Sequence, residues 1–144
     1  MINMNTEDMV WDLLHLAMDH DIDVQWAGVL SKYTPPACRI DTKIVCMDSN
    51  WHRWHRPKEI PFQLAHELAH IICGAPEDIC FYNSSFTGKS SVEYKANVGA
   101  VKFLVPYYCA ETEKENVNVY DFEKQYLIPE YLTNVVSETV KKYY

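Results

Sequence analysis

Two histidines and a glutamate are grouped in residues 62–70, which read Phe-Gln-Leu-Ala-His-Glu-Leu-Ala-His. His66 and His70 are four residues apart, so on a helix both imidazoles lie on one face, ~6 Å apart along the axis. Zinc accepts imidazole nitrogen, and the pair can therefore hold one metal ion. Glu67 points beside that face, where a carboxylate can take a proton from a metal-activated water. The pattern indicates a metal-dependent hydrolase.

A catalytic zinc site needs a third protein ligand and keeps one position open. Glu93 is the main candidate, because it begins the next predicted helix after a loop. On that helix it shares a face with Ala96 and Ala100, whose small side chains would let the two helices pack closely. Glu77 and Asp78 in the intervening loop are the rivals for this role.

Cysteines are the other residues near this segment that could bind a metal. Cys73 follows His70 by three residues and Cys80 lies in the next loop. A free cysteine is more often a small buried apolar residue, and we interpret both in that way. The chain has five cysteines, an odd count without C-x-x-C spacing, and its N-terminus shows no signal peptide. These features favour reduced thiols and a cytoplasmic protein.

Length and charge restrict the class of protein further. The 144 residues, 48% hydrophobic and 23% charged, predict one globular domain over residues 1–144. The net charge of −7 argues against direct binding to nucleic acid, which needs a basic surface. No apolar stretch approaches the ~18 residues that a membrane-spanning helix needs.

The spacing of apolar residues predicts the elements that must position these groups, and they define an α+β fold. We expect helices at residues 7–20, 58–73, 90–104, 119–126 and 130–143, a strand at 22–26 and a hairpin at 38–47. Pro61 is tolerated because it lies in the first turn of its helix, and Pro106 is expected to stop the third helix. The exposed face of the last two helices carries Glu130 and Glu138 and lacks arginine, so we do not expect them to read DNA.

Two segments together carry a family resemblance. Residues 62–70, followed by 93–97 (Glu-Tyr-Lys-Ala-Asn) and 103–106 (Phe-Leu-Val-Pro), resemble the ImmA/IrrE-type metallopeptidases. The pattern of that family is roughly F-T-L-A-H-E-L-G-H, then E-x-x-A-N-x-F-A-x-x-L-L-x-P. Gly99 stands where the family prefers Phe, and Ala69 where it prefers Gly. We interpret both departures as packing changes that remove no ligand.

The resemblance implies a minimal zincin-like fold, with a small sheet packed on the H-E-x-x-H helix and a C-terminal helix pair. It implies zinc held by His66, His70 and Glu93, with Glu67 as the catalytic carboxylate. Manganese or iron would also suit two imidazoles and a carboxylate. It further implies a narrow protein substrate, a helix-turn-helix repressor of phage or mobile-element type.

Two other functions stay open at this point. The chain could be a non-proteolytic antirepressor that acts by binding the repressor, with a structural metal or none. The intact Glu67 favours the enzyme, since a protein that only binds does not need that carboxylate. A general peptidase is less expected, because so short a chain forms few walls around the metal.

The surroundings of the metal are less defined by the sequence. Several residues could stabilise the oxyanion of the reaction: His52, His55, Tyr82, Tyr94 and Tyr107. An extended substrate is expected along an edge strand at residues 43–47. We interpret the basic, aromatic segment 52–58 as a loop whose Arg and Lys side chains cover two tryptophans, and not as a site for an acidic ligand.

Overall fold

The computed structural model describes residues 6–28, 36–49, 57–74 and 86–144, with side chains from residue 90 onward in the last range. The described part has five helices and three strands, which confirms the predicted α+β class. The helices are α1 (Thr6–Asp19), α2 (Ile60–Ile72), α3 (Phe86–Ala110), α4 (Val119–Tyr126) and α5 (Thr133–Tyr143). The strands are β1 (Asp23–Ala27), β2 (Ala37–Arg39) and β3 (Ile44–Asp48). No helix of these ranges is both long enough and apolar enough to cross a membrane.

The three strands form a mixed sheet in the order β1-β3-β2. β2 and β3 make the predicted hairpin, antiparallel with Cys38 opposite Val45, and Lys43 adopts a left-handed backbone (φ 56°) in the turn. β1 pairs in parallel with the other side of β3. The expectation that residues 43–47 form an edge strand is therefore wrong. β3 is the central strand because it carries the most apolar side chains of the sheet, with Val45 and Met47 fully buried.

Helix α1 forms as predicted and packs its inner face on the core. Met9, Leu13 and Ala17 follow one another at intervals of four and are all buried. Met18, although apolar and adjacent to Ala17, is 70% exposed. It lies nine residues after Met9, and nine steps of about 100° place it on the opposite side of the helix.

Helix α2 is the apolar helix that carries the His-Glu-x-x-His group. A 3₁₀ turn at Pro57–Glu59 leads into it, and Pro61 lies in its first turn, as predicted. Eight of its thirteen residues are buried, His70 and Glu67 among them. The metal-binding pattern is therefore held inside the protein and not on a solvated helix face.

Helix α3 is longer at both ends than the sequence predicted. It runs from Phe86 to Ala110, and Pro106 lies inside it. The prediction that Pro106 stops the helix is wrong, although a proline removes one backbone hydrogen bond from the helix interior. Burial on both sides of Pro106 offsets that loss, because Val105, Tyr108 and Cys109 all belong to the hydrophobic core.

Helices α2 and α3 pack against each other through small residues, as predicted from Ala96 and Ala100, which are both buried. The closest approach is at Gly99. A Cβ atom at that position would lie 2.9 Å from Cβ of Ala69 and 3.0 Å from Sγ of Cys73. The two departures from the family pattern therefore face each other across one helix contact, which confirms that they are packing changes.

The C-terminal helix pair forms where it was predicted. The side chain of Asn118 accepts a hydrogen bond from the Asp121 amide and begins α4, which ends at Leu127 in the left-handed conformation (φ 54°). A 3₁₀ turn at Glu130–Leu132 then precedes α5, whose Val136 is buried. α5 packs along α3, so the end of the chain supports the second helix of the candidate site.

Candidate metal centre

Three side chains from two helices converge at one point. Nε2 of His66 and Nε2 of His70, both on α2, lie 3.1 Å apart. Glu93 on α3 faces both: its Oε2 is 3.0 Å from Nε2 of His66, and its Oε1 is 3.1 Å from Nε2 of His70. The structure thus brings together the three residues that the sequence proposed as ligands, although 22 residues of chain lie between His70 and Glu93.

The spacing of these atoms suits a metal ion. Two ligand atoms that are each ~2.0–2.1 Å from a tetrahedral zinc lie ~3.3 Å apart, close to the three distances observed. Two imidazole nitrogens and a carboxylate cannot lie this close unless protons or a cation separate them, since all of them otherwise present lone pairs. The hydrogen bonds from His66 and His70 hold the pKa of Glu93 far below its usual range. The set of donor atoms therefore fits a divalent cation.

Glu67 adds a fourth ionisable group to the same place. The potential ligand atoms of His66, Glu67 and His70 all lie within 4.8 Å of one another. Glu67 is only 6% exposed, and its Oε2 has no hydrogen-bond partner within the described part of the chain. Burial raises the pKa of Glu67 to about 7, although the charges of the two histidines oppose this rise. A buried acceptor without a partner is costly, so this oxygen is available for a molecule that enters the site.

The side-chain amide of Asn97 makes a hydrogen bond to Nδ1 of His66, the ring nitrogen that does not face Glu93. Nδ1 of His66 donates to Oδ1 of Asn97 at 2.7 Å, and Nδ2 of Asn97 in turn donates to the Tyr131 hydroxyl. An Nδ1–H bond of this kind fixes the ring so that Nε2, once it has given up its own proton, presents the lone pair that binds a metal. Asn97 is four residues after Glu93 and therefore lies on the same face of α3.

Strand β2 lies alongside the centre. Burial raises the pKa of the half-buried Cys38 thiol to about 12, and the negative charges of Glu67 and Glu93 contribute to this rise. β2 packs against α2, the helix that carries the two histidines. The thiol stays protonated at neutral pH, so Cys38 does not act as a nucleophile.

Of the other candidate residues proposed from the sequence, two tyrosines lie within the described ranges and the rest do not. Tyr94 is 49% exposed and stacks on Tyr131, with ring centroids 6.2 Å apart. Burial and the charges of Asp12 and Asp19, both on α1, raise the pKa of Tyr107. The remaining candidates lie outside the described residues: His52, His55, Glu77, Asp78, Cys80 and Tyr82.

Cys73 does not join the site. Its Sγ packs where α2 passes Gly99, and the residue is exposed, so the expectation that it is buried is wrong. It lies at the C-terminal end of α2, where the helix leaves the core.

The sequence alone did not single out three neighbours of the centre: Asn97, Tyr131 and Cys38. The position of Asn97 four residues after Glu93 was a usable signal, since it predicts a shared helix face. Tyr131 is 34 residues from Asn97 and Cys38 stands alone on a short strand, so neither has a local pattern that indicates its place.

The fold and the site define a zincin-like architecture, in which a buried helix presents His-Glu-x-x-His beside a small sheet. A family model described as Peptidase_M78, the IrrE N-terminal-like domain, matches residues 17–132. The chain belongs to this family, which confirms the resemblance drawn from its two specific segments. No significant match is found among the curated proteins or among the solved structures.

Proposed function

We propose that this protein is a zinc-dependent peptidase in which His66, His70 and Glu93 hold the metal and Glu67 is the general base. The observation that carries the proposal is that Glu93 lies about 3 Å from Nε2 of both histidines, with the buried Glu67 grouped with the same two histidines. Two imidazoles and one carboxylate also accommodate manganese, which is the alternative ion. Membership of a peptidase family supports a reaction at a peptide bond.

When bound, the metal would supply two effects: it lowers the pKa of a water molecule and polarises the carbonyl of the scissile peptide. The chain's own contribution is Glu67. We assign to it the transfer of the proton from the attacking water to the leaving amine nitrogen, and its buried Oε2, which has no hydrogen-bond partner among the described residues, supports this role. Burial raises the pKa of Glu67, which strengthens this carboxylate as a proton acceptor.

The substrate strand is better assigned to β2 than to residues 43–47. β3 is paired on both sides, whereas β2 is paired only with β3 among the described residues. An edge strand keeps unpaired backbone groups that can bind an extended peptide. The effect of Glu67 and Glu93 on Cys38 supports this assignment, since it indicates that β2 runs beside the site.

We propose a helix-turn-helix repressor as the substrate. The resemblance to the ImmA/IrrE group suggests this class, and the net charge of −7 is complementary to the basic surface with which a repressor contacts DNA. Such charges speed the encounter of the two proteins. Cleavage of a DNA-binding protein would take place in the cytoplasm.

The test uses the purified protein loaded with zinc or manganese and mixed with a helix-turn-helix repressor of phage or mobile-element type. Mass spectrometry of the mixture detects new chain ends, and a promoter-binding assay follows loss of repressor activity. We expect defined fragments with the wild type and none with Glu67→Gln. Glu138→Gln, an exposed glutamate on α5, is the matched control and is expected to cleave normally.

Two results would contradict the proposal. If the wild type and Glu67→Gln inactivate the repressor equally and no fragment appears, the protein acts by binding alone. If the zinc-loaded protein degrades unrelated unfolded proteins as fast as the repressor, the narrow substrate is wrong and the protein is a general peptidase.

A further inference from the structure

The face of α1 that points away from the core carries large apolar side chains. Trp11 is 57% exposed and Met18 is 70% exposed. They are seven residues apart, and the half-buried Leu14 lies between them on the same side of the helix, so the three form an apolar row. Exposed apolar side chains bordered by polar residues are typical of a surface that binds a protein. Tryptophan is also among the residues most enriched at the centres of such interfaces.

An acidic row lies beside the apolar row on the same helix. It consists of three aspartates at helical spacing: Asp8, Asp12 and Asp19. Burial raises the pKa of Asp12, and the negative charges of Glu111 and Asp8 raise it further. The acidic row is therefore extended by Glu111, the residue that follows α3. Residues 6–28 contain no lysine or arginine, so this part of the chain supplies no permanent positive charge to offset the carboxylates.

The charge beside the apolar row restricts what can bind there. A second copy of the chain would bring the same carboxylates close to one another, because a twofold interface pairs a surface with itself. Anionic lipids and nucleic acid carry negative charge and would be repelled as well. A protein segment whose apolar side chains are bordered by lysine and arginine is complementary to both rows. The α1 surface therefore favours a basic, amphipathic protein partner.

We propose that the outward face of α1, with Trp11 and Met18 at its centre, binds a basic, amphipathic segment of the protein substrate. Leu13, on the opposite side of α1, is fully buried in the core, so this surface is separate from the metal ligands on α2 and α3. The identity of the partner rests on the proposed function, since a repressor needs lysine and arginine to contact DNA phosphates. Affinity gained at α1 adds to what the metal centre supplies, and this is a source of the narrow specificity proposed above.

The first test is the binding of a fluorescein-labelled peptide of ~18 residues, five turns of helix, with leucine on one face and lysine and arginine on the other. Fluorescence anisotropy measures its affinity for the zinc-loaded full chain carrying Glu67→Gln, which is expected not to cleave it. Trp11→Ser and Met18→Ser are each expected to weaken binding about tenfold, as the loss of a central apolar contact does. Tyr120→Ser is the matched control, because Tyr120 is 71% exposed and lies on α4, and it is expected to leave binding unchanged.

The second test changes the charges on each side of the contact. A peptide with glutamate in place of every lysine and arginine is expected not to bind. A scrambled peptide of the original composition is expected to bind about tenfold more weakly, because it has no apolar face. Asp12→Asn combined with Asp19→Asn is expected to weaken binding of the basic peptide, and by less at high salt, where exposed charges are screened.

The third test uses a helix-turn-helix repressor as the substrate of the zinc-loaded wild type. Trp11→Ser is expected to raise KM for the repressor about tenfold, since it removes binding that lies outside the reacting centre. Tyr120→Ser is expected to leave KM unchanged.

Four results would overturn the inference. Three concern the peptides: no binding of the basic peptide, equal binding of the acidic peptide, or binding that neither Trp11→Ser nor Met18→Ser weakens. The fourth is a wild-type dimer in sedimentation that either variant converts to monomers, which would assign the face to a second copy of the chain. Repressor cleavage without peptide binding would contradict this surface alone, whereas peptide binding without repressor cleavage would contradict only the proposed peptidase.

Discussion

Glu67 is the residue whose environment most clearly requires a ligand. Its carboxylate is buried beside two imidazoles, and Oε2 has no partner within the described residues. Such a group lowers the stability of the fold unless another molecule supplies the missing hydrogen bond, because a buried polar atom without one destabilises the protein by ~1–3 kcal/mol. The same burial gives the group the proton affinity of a general base.

The first prediction concerns this residue. Glu67→Gln removes the proton acceptor but keeps the size of the side chain, so peptide hydrolysis is expected to fall ~10²–10⁴-fold. Zinc affinity is expected to stay within a few-fold, because Glu67 is not one of the proposed ligands. Steady-state kinetics and a zinc titration on the same samples check both parts. A loss of zinc binding as large as the loss of hydrolysis would show that Glu67 is a ligand.

The second prediction concerns the dependence of the zinc affinity on pH. Burial lowers the pKa of His66, but its bond to Glu93 and the charges of Glu67 and Glu93 outweigh burial and raise it above its ordinary value of 6.5. A proton on His66 competes with the metal, so the zinc affinity is expected to fall about tenfold per pH unit below that pKa. Above that pKa, the affinity is no longer limited by this proton.

Zinc titrations at several pH values check this dependence, with His15→Gln as a control. His15 is exposed on α1 and should leave the profile unchanged. A zinc affinity that stays constant from about pH 8 to about pH 5 would mean that no histidine binds the metal.

At the scale of elements, the contact between α2 and α3 determines whether the ligands can meet. Ala69 and Gly99 face each other so closely that a Cβ atom at position 99 would lie 2.9 Å from that of Ala69. Since His70 follows Ala69 and Glu93 lies on the same helix as Gly99, any separation of the helices moves the carboxylate away from the imidazoles. The absence of a side chain at position 99 therefore helps to hold the three ligands together.

The third prediction tests this contact. Gly99→Ala gains ~0.5–1 kcal/mol of helix stability but overpacks the interface, which costs ~1–3 kcal/mol. The net result is expected to be a lower free energy of unfolding and a weaker zinc affinity. Urea unfolding of the zinc-free protein measures the first effect, and a zinc titration measures the second.

Ala69→Gly supplies the matched second variant. On its own it is expected to destabilise the helix by ~0.5–1 kcal/mol, whereas in the Gly99→Ala protein it makes room for the new methyl group and costs less. Strictly additive free energies of unfolding would show that the two residues do not share a contact.

The elements themselves show what sequence patterns can predict. The bounds of α4 and the hairpin of β2 and β3 were predicted from local sequence patterns, and the structure confirms both. The central position of β3 was not predicted, because β1 pairs with it from across the sequence. Pro106 was misjudged for a similar reason: core burial around it decides the helix, and burial is a property of the whole fold.

At the scale of the whole molecule, the metal would join two helices that approach through separate parts of the sequence. His66 and His70 lie on α2, Glu93 lies on α3, and α5 packs along α3. An ion that binds all three side chains binds the folded state and not the unfolded chain. Metal binding must therefore stabilise the fold.

The fourth prediction follows from this linkage. At a zinc concentration of about 100 times its dissociation constant, the stabilisation is ~2.7 kcal/mol, which corresponds to a rise in melting temperature of ~5–10 °C for a chain of this size. Thermal unfolding with zinc and with a chelator measures the difference. Glu93→Ala is expected to lose most of the rise, while Glu138→Ala should keep it. An equal rise in both variants would place the zinc elsewhere.

Some residues of the site can be predicted from local sequence patterns, and the others depend on contacts between distant segments. His66, Glu67 and His70 lie within five residues, and a helical period is enough to group them. Glu93 needed the further argument that small residues bring the next helix close. Tyr131 and Cys38 carry no such signal, because their places depend on how α5 and β2 pack on the rest of the molecule.

The zinc content of the loaded and gel-filtered protein tests the central claim most directly. Wild type and Glu67→Gln are each expected to retain one zinc per chain, because His66, His70 and Glu93 complete the three-ligand set of a catalytic zinc site. Glu93→Ala is expected to retain far less. A wild type without metal, or a Glu93→Ala protein that holds as much zinc as the wild type, would contradict the account.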